Sequence, residues 1–213
     1  MCEPAAFEYL HDPAAIYARS FAIVREEADF SQLPANLHDV AVRLIHACGM
    51  TDLPADLAWD GDPVTSGRAA LRSGAPILVD VDMVRHGIIA RALPAQNRII
   101  CTLNDDGIRE MAQKRCDTRS AVAVEHWWDH LAGAIVCIGN APTALFRLLE
   151  LLADGASHPA VILGFPVGFV GAAESKQALI AADMGIPCLT LRGRRGGSAI
   201  AAAAINALAR NPS

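Results

Sequence analysis

His46 occupies a position where a helix would place a proton donor rather than a core side chain. The segment Leu37 to Cys48 carries apolar residues at Leu37, Val40, Ala41, Leu44, Ile45 and Cys48, the i, i+3, i+4, i+7 recurrence of one buried helix stripe. At ~100° per residue, His46 falls about 170° from the centre of that stripe, on the side that also carries Asp39 and Arg43. Gly49 is the expected helix stop. His46 therefore lies in the last turn, where the negative end of the helix dipole favours an imidazolium. A proton donor beside an anion-binding guanidinium is the chemistry this spacing offers. The same spacing also fits a solvent-exposed histidine with no task.

Three further stretches have the composition of ligand-holding turns. Gly139-Asn140-Ala141-Pro142-Thr143 joins an apolar run to a helix with proline at its first position, a turn whose backbone N–H groups can hold a carboxylate or phosphate. The run from Gly164 to Gly171 leads into Ala172-Ala173-Glu174-Ser175-Lys176, and Arg192-Gly193-Arg194-Arg195-Gly196-Gly197-Ser198 gathers three guanidinium groups on a flexible backbone. Planar arginine forks suit carboxylates. Thr118 is a helix cap in front of Arg119 and Ser120; Arg119 fits a crevice-facing role and an ordinary surface role equally.

Other motifs carry less. Gly164, Gly168 and Gly171 do not have the dinucleotide spacing, and no acidic residue follows in the expected place. The phosphate loop of nucleotide hydrolases and the Gly-x-Ser-x-Gly elbow are both absent. His126 and His130 are four apart within Glu125-His126-Trp127-Trp128-Asp129-His130, but Trp127 stands where a zinc protease needs glutamate. A helix packed through its two tryptophans is the simpler reading, and no metal site is expected.

The elements that must position these residues read as α/β. The chain has 213 residues, 53 % hydrophobic but only 5 % aromatic, so its apolar mass is aliphatic, which suits a covered sheet. Short continuous apolar runs occur at Pro76–Asp80, Arg98–Leu103, Ala134–Gly139, Ala160–Gly164 and Pro187–Leu191, the pattern of parallel strands buried on both faces. Helical segments lie between most of them, at about Asp82–Gly87, Ile108–Leu131, Pro142–Ala153, Glu174–Ala182 and Ser198–Ala209. Before them come a helix opened by Asp12-Pro13 and running towards Asp29, the His46 helix, an acidic loop from Met50 to Pro63, and a short helix from Thr65 or Ser66 to Arg72. The expectation is a single doubly wound α/β domain over residues 1–213, with a mostly parallel sheet of about five strands flanked by helices and a helical N-terminal segment.

A formal net charge of −5 gives no electrostatic support for nucleic-acid binding. Cys2, Cys48, Cys101, Cys116, Cys137 and Cys188 show no paired spacing and read as thiols in a reducing cytoplasm. Met-Cys-Glu-Pro does not open a secretory signal, and the stretches 160–173 and 199–209 are too short or too broken to cross a bilayer.

Seven segments taken in order resemble the precorrin-8X methylmutase family of cobalamin biosynthesis. They are Ile16-Tyr17-Ala18-Arg19-Ser20-Phe21, Arg43 to Gly49, Gly74 to Leu78, Asp117-Thr118-Arg119-Ser120-Ala121, Ile138 to Leu145, Pro166 to Lys176, and Gly193 to Ser198. The resemblance implies a cofactor-free isomerase that moves a methyl group from C11 to C12 of a tetrapyrrole by a 1,5-sigmatropic shift, giving hydrogenobyrinic acid. It also implies a homodimer with the site near the subunit interface. Under it, His46 is the proton donor and Arg19, Ser20, Arg43, Thr118 and Arg119 bind substrate. The turns at Asn140, Ser175/Lys176 and Arg194 then become carboxylate anchors. Three rivals differ in chemistry: the same shift on a cobalt-bearing ring, a non-catalytic tetrapyrrole carrier, and a nucleotide-dependent oxidoreductase, for which no NAD(P) binding is expected.

Overall fold

A computed structural model describes residues 7–210; Cys2 and the rest of the Met-Cys-Glu-Pro stretch lie outside the described part. Two helices come first. α1 (Pro13–Glu27) starts where the Asp12 carboxylate accepts from the amides of Ala14 and Ala15, with proline in the first turn. α2 (Ala35–Cys48) buries Leu37, Val40, Ala41, Val42, Leu44 and Ile45 and ends on Gly49 in the left-handed region, φ 72°.

The sheet holds six strands, one more than the sequence suggests. β1 (Leu57–Asp60) lies inside the stretch read as an acidic loop, after one turn of 3₁₀ helix at Leu53–Asp56. Then follow α3 (Pro63–Arg72), β2 (Ile77–Val79), α4 (Asp82–Gly87) and β3 (Ile99–Ile100). The strand order is β1-β6-β5-β4-β2-β3, once β4 (Ile135–Ile138), β5 (Val161–Gly164) and β6 (Cys188–Leu191) are included. All neighbours are parallel except β1, which runs antiparallel to β6 with Leu57 opposite Leu191. The five parallel strands thus follow a doubly wound order, with its switch point between β2 and β4.

The helical stretch expected over 108–131 is broken. α5 (Ile108–Arg115) ends at Cys116, itself left-handed at φ 52°, and α6 (Arg119–Glu125) restarts on the Thr118 cap. A separate 3₁₀ turn, Trp128–His130, follows, so His126 and His130 do not share a helix. Trp127 is fully buried and donates its indole N–H to Thr102 Oγ1 at 3.0 Å, whereas Trp128 is exposed. The remaining helices are α7 (Pro142–Ala153), α8 (Ala172–Ala181) and α9 (Ser198–Leu208).

Strand side chains alternate between two cores. Ile77, Val79, Ile135, Cys137, Val161, Leu163, Leu189 and Leu191 face the cluster built with α2, α3, α4 and α9. Leu78, Val136, Ile138, Ile162 and Cys188 face the α7 and α8 side. At Gly139 a side chain would meet Val84 and Ala201 at under 3 Å, so glycine lets α4 and α9 close over the end of β4. No described helix is long and apolar enough to cross a membrane.

Candidate active site

α1 packs along α2, and their contact makes the site. His46 projects from the exposed side of α2, where its Nδ1 lies 2.9 Å from Ser20 Oγ on α1. The Phe21 ring stacks on the imidazole at 5.0 Å and 23°, and Tyr17 meets it edge-on at 5.9 Å. A hydroxyl both donates and accepts, so the Ser20 bond survives with His46 neutral or charged. With Nδ1 engaged, Nε2 is left for a ligand. An open groove of about 380 Å³ runs past it, lined by Arg19, Ser20 and the exposed apolar side chains of Leu10, Ile16 and Ile23. The arrangement can present one oriented proton donor to a large, partly apolar molecule.

Arg43 is adjacent but turned away from this groove. Its guanidinium donates to the Tyr17 hydroxyl and lies 5.6 Å and 5.3 Å from the centres of the Tyr17 and Phe21 rings. It lines a second cavity behind the aromatic pair. Burial, with the neighbouring Arg210 charge adding to it, pulls Arg43 below the ordinary arginine value. Asp39, on the same side of α2, is held by Arg25 at 2.9 Å.

The carboxyl edge of the sheet is differently equipped. At the switch point the buried Asp80 carboxylate accepts from the amides of Gly139, Asn140 and Ala141 at 2.8, 2.9 and 2.8 Å. The backbone turn leading into α7 is therefore already occupied by a carboxyl group, and it is the protein's own. Burial pushes the Asp80 carboxyl up, against the downward pull of the three N–H groups. The Asn140 side chain stays exposed next to this plug. Thr118 caps α6 and donates to Thr143 Oγ1 at 2.8 Å, and Arg119 is exposed beside it. Ser175 is buried and gives its hydroxyl to the Ala172 carbonyl. Lys176 is buried too; its Nζ donates to the Arg195 carbonyl at 2.6 Å, and burial pulls its pKa down to about 8. Arg194 reaches over the exposed Phe169 ring at 5.2 Å.

Arg195 links the two regions. It pairs with Asp52 at 2.9 Å and with Asp56, both just beyond the C-terminal end of α2. The helix end carrying His46 is thereby tied to the β6–α9 turn. His46, Ser20 and Arg19 share one groove; Arg43 borders it from behind; Thr118 and Arg119 lie at the α5–α6 break, joined to the start of α7 through Thr143, and Asn140 and Arg194 lie at turns of the sheet edge. Sequence reasoning missed Asp80 and the pocket-lining Arg25, Arg68 and Arg210. Asp80 at the end of an apolar run was the available signal for the first. The arginines carry no local signal.

The profile of the family described as precorrin-8X methylmutase matches residues 15–211. The chain belongs to the precorrin-8X methylmutase family. A precorrin-8X methylmutase of Pseudomonas aeruginosa is 57 % identical over 202 residues, covering 95 % of this chain and 97 % of that protein. One from Sinorhizobium is 54 % identical over 204 residues, covering 96 % and 97 %. A cobalt-precorrin-8 methylmutase of Priestia megaterium is 33 % identical over 197 residues, covering 92 % and 87 %. The crystal structure of a precorrin-8X methyl mutase from Thermus thermophilus superposes with a TM-score of 0.83 at 37 % identity, over 92 % of this chain and 94 % of that one. Members of the precorrin-8X methylmutase family are isomerases that convert precorrin-8X to hydrogenobyrinic acid in cobalamin biosynthesis.

Proposed function

We propose that this chain converts precorrin-8X to hydrogenobyrinic acid, with His46 as the proton donor that starts the methyl shift. The carrying observation is the His46–Ser20 pair at 2.9 Å on the open groove. The bond from the methyl carbon to C11 breaks as the bond to C12 forms. Substrate and product have the same composition, so a proton lent to the conjugated ring is returned. Protonation or a strong hydrogen bond from Nε2 makes the migration terminus electron-poor, and Ser20 keeps the ring of His46 oriented for it.

Arg19 and Ser20 contact the substrate beside His46, and Arg43, Thr118, Arg119, Asn140 and Arg194 supply donors to its acid arms. Ser175 and Lys176, whose side chains are turned inward, act by holding the turns. A groove of about 380 Å³ is at the small end for enclosing even a drug-sized ligand, and a tetrapyrrole is larger. That supports a homodimer in which a second copy covers the exposed Ile16, Ile23 and Leu10 and closes the site. The described cysteines are free thiols, the form a reducing cytoplasm maintains, which supports a cytoplasmic enzyme. The metal-free ring is preferred because relatives named for it reach 57 % and 54 % identity, against 33 % and 37 % for two named for the cobalt form.

Single-turnover absorbance with precorrin-8X tests this. The expected result is conversion by the wild type and binding without conversion by His46→Ala. Conversion by the variant at the wild-type rate would remove His46 from the mechanism. Binding by both with conversion by neither would favour a carrier or the cobalt-bearing substrate.

A further inference from the structure

Behind the Tyr17–Phe21 wall lies a cavity of about 290 Å³ with a charge pattern of its own. Four guanidinium groups converge on it, from Arg25 on α1, Arg43 on α2, Arg68 on α3 and Arg210 after α9. Asp39 is the carboxylate among its described lining residues, and Arg25 already holds it. Arg43 and Arg210 both donate to the one Tyr17 hydroxyl, Arg210 at 2.7 Å, so two like charges share a single neutral acceptor. Arg68 Nε is buried with no hydrogen-bond partner. A buried donor without an acceptor is costly, and like charges crowd together only where something of opposite sign offsets them. Guanidinium forks match the planar oxygens of a carboxylate.

We propose that this cavity is an oxyanion-binding site, separate from the His46 groove, that takes a carboxylate through Arg43, Arg68 and Arg210. Its volume admits one carboxylate-bearing arm or a small free acid, not a macrocycle. Tyr17 and Phe21 form its wall and also touch the His46 imidazole from the other side. An anion seated there neutralises the arginines and steadies the aromatic pair against which His46 is stacked. Assigning the carboxylate to an acid arm of the tetrapyrrole rests on the function proposed above; the anion site itself does not.

The test uses citrate, with inorganic phosphate as a second probe, titrated calorimetrically into the full chain at low ionic strength without any tetrapyrrole. Saturable binding by the wild type is expected, weakened at least tenfold in Arg68→Gln and in Arg210→Gln. Arg210 is exposed near the end of α9, so its variant is the safeguard against loss of fold, checked by circular dichroism. Wild-type protein that binds neither probe, or variants that bind as well as it does, would overturn the proposal. Competition with hydrogenobyrinic acid then separates the sources. Mutual exclusion means that an acid arm of the macrocycle uses the site, and independent binding means a separate anion does. Because no turnover is read, an inactive methylmutase and an empty arginine pocket give different results.

Discussion

The carboxyl edge of the sheet and the α1–α2 contact divide the tasks that a doubly wound fold usually combines. Fold rules place a ligand at the switch point, where helix N-termini face a crevice. Here the switch point between β2 and β4 is occupied by Asp80, which accepts from the three amides of the β4–α7 turn. His46, the proposed proton donor, stands instead on α2, on a helix flanking the sheet rather than at the end of a strand. At the switch point the carboxyl group is buried and accepts three hydrogen bonds; at the α1–α2 contact the imidazole is exposed, stacked on an aromatic ring and flanked by arginines. Architecture alone would have directed attention to the wrong amides. In such a fold a carboxyl group at the end of one strand can occupy the turn that follows the neighbouring strand.

Substitutions on each side sharpen that contrast. The largest effect is expected from His46→Ala, a fall of about 10²–10⁴-fold in single-turnover rate, the usual contribution of a general acid, with product still bound. Asp80→Ala acts on the other region: two buried amides and a part-buried one lose their acceptor, and chemical denaturation should show a loss on the order of 3 kcal/mol. If Asp80→Ala proves as stable as the wild type, Asp80 does not hold the switch point. Ser20→Ala releases the orientation of His46 and should slow conversion about tenfold, or about 1.4 kcal/mol, with much of the rate restored in Ser20→Thr. The smallest effect concerns Lys176. Its folded pKa of about 8 lies below the ordinary 10.5, so between those values the unfolded chain holds more protons than the folded one. Stability therefore rises with pH across that window, by about 1 kcal/mol from pH 7.5 to 9. Thermal melts of Lys176→Met should lack this rise.

Much of this division was legible in the sequence. The continuous aliphatic runs that became β4, β5 and β6 bury both faces of each strand, and nothing but a covered parallel sheet accommodates them. Pro13, Thr118 and Pro142 marked helix starts, because a cap or a missing N–H acts locally. β1 was hidden because Leu57–Asp60 is a short edge strand flanked by acidic residues, and its partner β6 lies more than a hundred positions further along. The break at Cys116 was hidden because a non-glycine residue takes the left-handed turn there. In the site, His46 could be singled out by the phase of its own helix. Ser20 came from the family's pattern, and its 2.9 Å contact with His46 shows only once α1 lies on α2. Arg25, Arg68 and Arg210 come from three distant parts of the chain, and helix phase alone cannot assemble them.

α1 contributes a single buried side chain, Val24, to the core; its other attachments include Ser20 to His46, Tyr17 to two guanidinium groups and Arg25 to Asp39. With Val24 buried and Phe21 half-buried against the core, α1 has few apolar anchors, and such a helix is expected to open at a free energy below that of the whole domain. Its amide protons should therefore exchange with solvent through local detachment, while those of β4 and β5 wait for global unfolding. Much of the His46 groove is carried on this one helix, so a local opening there would widen the site for a bulky guest while leaving the sheet intact.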